Sequence, residues 1–247
     1  GIRIEAERGA TSTAVSVAHN AVSRVAAVEV DHYFAGGVGI FTDGGLPTIR
    51  RNRVDECFET GIAAWNAASA AVGENRVEAG REFVWSSIYS AEKRAGIRVG
   101  ADEAAVVGNA VDGQPVGISA EAVRLELASN RIGPLRDPGP GDDLMGSTSS
   151  IGIDVQSRPG ADPLLTIRGN VVSFVPPADM WLDFARGVVV RGDAWLVESN
   201  RVVAGVDEER SPHGFTGMML FGGTDVSAAV ARGNVVVGGA GVGIMAH

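Results

Sequence analysis

Residues 117–131 read GISAEAVRLELASNR, and the alternation within this stretch decides the fold. After Gly117, Ile118 and Ala120 alternate with Ser119 and Glu121, the period of two that a β-strand imposes on its faces. Val123, Leu125 and Leu127 then alternate with Arg124, Glu126 and Ala128 as a second strand. Asn130 marks a corner, and Ile132 points inward again. The unit recurs in both directions. Gly96 to Asn109, Gly117 to Asn130 and Gly187 to Asn200 each span 13 residues, and Gly61 to Asn75 spans 14. Gly1 to Asn20, Gly152 to Asn170 and Gly217 to Asn234 carry the same unit with a few residues inserted, and Gly37 and Gly243 read as the second and ninth openings.

Eight asparagines (Asn20, Asn52, Asn75, Asn109, Asn130, Asn170, Asn200, Asn234) are each followed two residues later by Val or Ile. Three residues before them stand Val17, Ile49, Val72, Val106, Leu127, Ile167 and Val197, with Ala231 the exception. A repeat of this length signals a solenoid. Columns of like side chains at one phase are what stacked parallel strands need, because each turn buries its apolar residues only against its two neighbours. Asparagine suits the corner because it tolerates left-handed backbone angles and its amide both donates and accepts toward the next turn. These amides are expected to form a ladder along the stack, a structural role rather than a ligand-binding one.

The pattern G-[IV]-x-[VIA] followed by N-x-[VI] resembles the right-handed parallel β-helix of the pectin-lyase-like superfamily across essentially all 247 residues. The resemblance implies an all-β fold, a right-handed parallel β-helix solenoid of about eight coils forming one domain over residues 1–247. Such a rod is roughly 40 Å long at one strand spacing per coil. That superfamily includes lyases, hydrolases, epimerases, tailspikes and non-catalytic adhesive domains, so the resemblance specifies fold more than activity. It implies a bacterial protein with an extracellular or cell-surface location. Neither end reads as the amphipathic cap that shields a terminal repeat, so the chain is expected to be a segment of a larger polypeptide.

Composition narrows the partners. Hydrophobic residues make up 45 % but aromatics only 6 %, so the core must be built from Val, Ile, Ala and Leu. A net charge of −9 without a basic run argues against nucleic acid and anionic membrane surfaces, and no long apolar run suggests membrane insertion. The single cysteine, Cys57, excludes an internal disulfide framework and reads as a small buried hydrophobe.

Length varies chiefly between each asparagine and the next opening glycine, where the distances are 17, 9, 21, 8, 22, 17, 17 and 9 residues. Long insertions at one phase emerge from one edge of a solenoid and usually mark its working surface. The insertion after Asn130 holds Asp137, Asp142 and Asp143; that after Asn170 holds Asp179, Met180, Trp181, Asp183 and Phe184; that after Asn200 holds Asp207, Glu208, Glu209, His213 and Phe215. Acidic side chains among large apolar ones suit a glycan or protein partner, or a Ca²⁺ ion. Asp142, Asp143, Asp179, Trp181, Asp183 and His213 are therefore the binding candidates. No other cofactor and no dedicated metal cage is expected.

Enzymes of the resembled superfamily carry their reactive groups on the outward side of one parallel sheet. The corresponding outward positions form two rows: Arg3, Arg98, Ser119, Asp154, Val189 and Met219, then Glu5, Phe41, Trp65, Glu121, Gln156, Arg191 and Phe221. Glu121, Asp154, Arg98 and Arg191 fall on neighbouring coils and are the catalytic candidates, a carboxylate pair with cations for acidic sugar chemistry. Asp142-Asp143 matches only the aspartate pair of polygalacturonases, and Ser211-Pro212-His213-Gly214 shares only Pro-His with alginate epimerases. Asp31-His32-Tyr33 reads as a loop-entry histidine held by its neighbour. Residues 239–243, GAGVG, lack a βαβ setting and read as a turn. The favoured expectation is a non-catalytic binding or structural module of a larger surface or assembly protein, contacting glycan, protein or flanking domains through loops on one edge. The alternative is a lyase, hydrolase or epimerase acting on an acidic polysaccharide.

Overall fold

The computed structural model describes residues 1–6, 12–25, 28–30, 33–35, 37–57, 59–78, 95–133, 149–174, 184–205, 214–222, 228–238 and 241–246. These residues are all-β and form long parallel sheets with a repeat-like order. Among them, no helix is long and apolar enough to cross a membrane.

Three ladders of parallel strands run through the molecule. The first contains Ile2–Glu5, Val38–Asp43, the opening halves of Thr60–Gly73, Ala95–Val107 and Val116–Ala128, then Ser149–Ser157, Phe184–Arg191, Gly214–Phe221 and Gly241–Ala246. The second contains Ala14–Ala18, Leu46–Arg50, the closing halves of the same three long strands, Leu164–Arg168, Ala194–Glu198 and Ala228–Arg232. Ala21–Val25, Arg53–Cys57, Arg76–Glu78, Ala110–Asp112, Arg131–Ile132, Val171–Phe174, Arg201–Ala204 and Val235–Val237 build the third. The chain visits the ladders in the same order in every unit. One antiparallel pair, Val28–Val30 with Tyr33–Ala35, lies in the insertion that follows Asn20. Asp31 and His32, between those strands, lie outside the described residues.

Inward columns are uniform because each strand repeats its neighbour's phase. Ile40, Ile62, Ile97, Ile118, Ile153, Val188 and Met218 form one fully buried file of the first ladder. Each such side chain contributes roughly 1.5–3 kcal/mol by leaving water. Aromatics enter the core at few points. Phe174 and Phe215 meet edge to face at 6.0 Å, and Phe215 is buried rather than presented by an edge loop as its sequence position suggests.

The opening glycine is required by close approach. A Cβ on Gly117 would lie 2.5 Å from the carbonyl oxygen of Gly152 and inside van der Waals distance of Ile132 Cγ2. Thus the glycine column faces the Val/Ile column two residues after each asparagine, and one repeat signal explains the other. The second opening is Gly39, not Gly37: Val38 pairs with Thr60 and Ile40 with Ile62, which sets Gly39 beside Gly61. Gly37 instead has φ of 89° and precedes the strand.

The eight asparagines do stack in file. Asn130 shows the wiring: its Nδ2 donates to Asn170 Oδ1 at 3.0 Å and to the Val106 carbonyl at 2.8 Å. Its backbone N–H also donates to Asn170 Oδ1, at 3.0 Å, while its own Oδ1 accepts from both nitrogens of Asn109. The carbonyl accepting from each Nδ2 belongs to the residue three before the preceding asparagine: Val17, Ile49, Val72, Val106, Leu127, Ile167 and Val197. The left-handed bend expected at asparagine falls one residue earlier, at His19, Arg51, Glu74, Gly108, Ser129, Gly169, Ser199 and Gly233. The side chain that must stay in file keeps ordinary backbone angles, and its predecessor absorbs the turn.

Candidate functional site

The outward side of the first ladder carries three guanidinium–aromatic pairs. Register fixes two rows. Arg3, Phe41, Ala63, Arg98, Ser119, Asp154, Val189, Met219 and Met245 stand opposite one another in sequence. Glu5, Asp43 and Trp65 form the start of the next row, which continues from Gly100 through Glu121, Gln156, Arg191 and Phe221. Phe41 therefore belongs to the first row, beside Arg3, because its strand opens at Gly39.

The four catalytic candidates share this face. Arg98 and Asp154 are two strands apart in one row, as are Glu121 and Arg191 in the other, so each pair is separated by roughly 10 Å. Their charges are used locally. Arg191 Nη1 donates to Asp154 Oδ1 at 2.5 Å, and Arg158 Nε stands 3.6 Å from Glu121 Oε1. Arg98 lies over the Trp65 ring at 4.5 Å from its centroid; Arg3 and Arg191 approach the Phe41 and Phe221 rings at 5.2 and 5.9 Å. A guanidinium is attracted to the negative face of an aromatic ring, and the pair presents a flat, partly apolar surface with donors at its edge. Beside these rows, Ala95, Val116, Ile151 and Val189 form a buried apolar cluster separate from the core, with Met219 and Phe221 packed against it.

Trp65 owes its position to an irregularity. Val99 pairs with Ala64 and Ala101 with Ala67, so Trp65 and Asn66 together oppose the single residue Gly100. That β-bulge turns Asn66 to φ of 50°, and its Nδ2 donates to Asp43 Oδ1 at 2.8 Å. A Cβ on Gly100 would come within 2.5 and 2.7 Å of Trp65 ring atoms and 2.8 Å of Arg158 Nη2. Bare backbone at Gly100 is what lets the indole and the Arg158 guanidinium meet there. Sequence reasoning placed Trp65 and Phe221 on the outward rows without assigning them a role, and it missed Arg158. The readable signal was a glycine on the strand beside a lone tryptophan.

The outward side of the second ladder is an open groove of about 840 Å³ with Ala71 and Ala105 among its small lining residues. Two ion pairs lie along it: Arg124 Nη2 stands 3.7 Å from Asp162 Oδ2, and Glu126 pairs with Arg168. On the third ladder, Asp55, Glu78 and Asp112 stand in file beside Arg53 and Arg76. Burial pushes the Asp112 carboxyl above the ordinary aspartate range, reinforced by Glu78 and opposed by Arg131 and Arg76. Burial likewise pushes the Cys57 thiol up to about 11.

The binding candidates Asp142, Asp143, Asp179, Trp181, Asp183 and His213 lie outside the described residues. All six fall in sequence between a third-ladder strand and the next first-ladder strand, as the insertion pattern predicts. Among the described residues no group of three or more His, Cys, Asp or Glu side chains is placed to hold a metal ion. Comparison of the chain with models of known families, with curated proteins and with solved structures finds no match.

Proposed function

We propose that the chain winds as a right-handed parallel β-helix and serves as a non-catalytic binding module of a larger surface or assembly protein. Its ligand is a glycan, held along the outward side of the first ladder. Uniform parallel pairing through three ladders supports the winding, and strand–crossover–parallel strand connections are right-handed almost without exception. One observation carries the binding reading: three guanidinium–aromatic pairs, at Phe41, Trp65 and Phe221, lie on a single face. Aromatic faces with donors at their edges suit sugar rings, which are apolar on their faces and hydroxylated at their rims.

Asp154 is engaged by Arg191 and Glu121 by Arg158, an arrangement of compensated charges that favours holding a ligand over moving a proton. The insertions carrying Trp181, Asp183 and His213 each precede a first-ladder strand in sequence. The test is retention on a glycan array with product analysis on every hit. Retention without new reducing ends or unsaturated sugars, weakened about tenfold or more by Trp65→Ala, supports the reading. Turnover would establish the enzyme alternative, and capture by no glycan would remove the proposal.

A further inference from the structure

The outward side of the second ladder changes in side-chain size and charge at its midpoint. Eight strands build this face, and register sets their outward residues in three rows. Along the middle row the first four strands carry Ser16, Thr48, Ala71 and Ala105, and the last four carry Glu126, Thr166, Leu196 and Val230. Small residues thus occupy one half and larger ones the other. Leu164 and Val230 are 46 % and 44 % exposed, apolar side chains left uncovered on the larger half. At the midpoint Glu103 stands beside Arg124 of the next strand. Among the described residues Glu103 has no ion pair, and Arg124 reaches only the exposed Asp162 carboxylate, at 3.7 Å.

Such a face is complementary to itself. A two-fold axis laid along the strands, between Glu103 and Arg124, brings a second copy onto it with rows aligned and long axis reversed. The fourth strand of each copy then meets the fifth of the other, the third meets the sixth, and so outward. Glu103 faces Arg124 of the second copy, and the axis makes that contact twice. In the row nearest the amide file, Arg50 faces Glu198 and Arg168 lies over the bare backbone of Gly73. Elsewhere Leu164 falls over Ser69, Thr166 over Ala71 and Glu126 over Ala105. Each of these contacts sets a long side chain on a short one or joins opposite charges, and like charges meet in none of the three rows. Other alignments lack this property. Moving the axis onto either central strand sets Glu103 or Arg124 against its own counterpart, and running the copies parallel sets Glu126 against Glu126.

We propose that this face is a homodimer interface, in which two copies of the chain pack second ladder to second ladder, antiparallel, about that axis. Strands of five residues at one strand spacing give a face of roughly 17 by 38 Å. The pair therefore buries about 1,200 Å² in all, the lower end of the standard range for specific interfaces. The contact uses a ladder other than the one assigned to the glycan and holds whatever the first ladder binds.

Sedimentation velocity with light scattering, from about 1 to 100 µM protein, tests it in the range where an interface of this size dissociates on dilution. The wild type populates a dimer across that range. Glu103→Arg and Arg124→Glu, each checked by circular dichroism to be folded, weaken the dimer about 100-fold or more, because the axis sets each like-charge contact twice. Mixing the two variants restores association to within about tenfold of the wild type, since each reversal then faces its complement. The double variant, Glu103→Arg with Arg124→Glu, dimerises by itself for the same reason. Recovery on mixing separates a lost contact from a damaged fold. A wild type that stays monomeric throughout overturns the interface. So do single reversals that leave association within about threefold, at whatever size the assembly has, and variants that stay apart when mixed.

Discussion

Replacing Asn130 by alanine isolates the amide file from everything else in the fold. The side chain is about 1 % exposed and takes part in four hydrogen bonds: two donated by Nδ2, to Val106 O and Asn170 Oδ1, and two accepted by Oδ1, from the backbone and side-chain nitrogens of Asn109. Asn130→Ala leaves the backbone N–H bond to Asn170 in place but orphans the Val106 carbonyl and the Asn109 donors. At roughly 0.5–1.5 kcal/mol for each net bond, with buried orphans at the upper end, the loss should be about 4 kcal/mol. For a chain of this size that corresponds to a fall in melting temperature of roughly 8–16 °C. Asn20 at the first unit provides the control. It is half-buried and donates to Asn52 Oδ1 and Ala18 O, so Asn20→Ala should cost about 1–2 kcal/mol. Urea denaturation of both variants beside the wild type reads the two values. Equal costs at Asn130 and Asn20, or a loss at Asn130 below about 1 kcal/mol, would refute the claim that the interior of the file is buried and fully hydrogen-bonded.

Gly117→Ala should destabilise by at least roughly 1–3 kcal/mol, because its Cβ would meet the Gly152 carbonyl at 2.5 Å, whereas Gly243→Ala, with nothing within 4 Å, should be near neutral in the same melts. Asp112 has its folded pKa raised, so its contribution to stability is present below the ordinary aspartate pKa and is lost as pH rises through the folded value. Asp112→Asn should accordingly raise the melting temperature at pH 7 and change it little near pH 3; the opposite ordering would mean that Arg131 and Arg76 outweigh burial. Cys57, with a thiol pKa of about 11 and little exposure, should resist a disulfide exchange reagent at pH 8 until the chain is unfolded, and rapid labelling of the native protein would contradict its placement.

The all-β, parallel, repeat-like order was legible because its governing interactions repeat at fixed phase. Asparagine followed by x-Val/Ile recurs since the amide and the branched side chain occupy the same place in every unit, and both placements hold in the structure. Non-repeating features were harder to read. Gly37 and Gly39 stand two residues apart in the same strand phase, and only register with Gly61 separates them. The left-handed residue before each asparagine is His, Arg, Glu, Ser or Gly, a set that carries no common signal. Arg98, Glu121, Asp154 and Arg191 share the first-ladder face by phase, but the contacts they make are diagonal ones between units, which periodicity does not specify. The bulge at Trp65 and Asn66 is a single departure from the rule, visible only against Gly100 on the adjoining strand.

The amide file also restricts how such a chain can change in length. Each asparagine from Asn52 to Asn200 is both donor to its successor and acceptor from its predecessor, so excising residues 96–116, the 21 residues from one opening glycine up to the next, removes Asn109 and hands its partners to each other: Asn75 acquires Asn130. Removing a fraction of that stretch instead leaves two amides out of alignment and a strand turned onto the wrong face. Duplication and loss are thus quantised in whole units within the strands, while the segments that follow each third-ladder strand remain free to grow or shrink residue by residue.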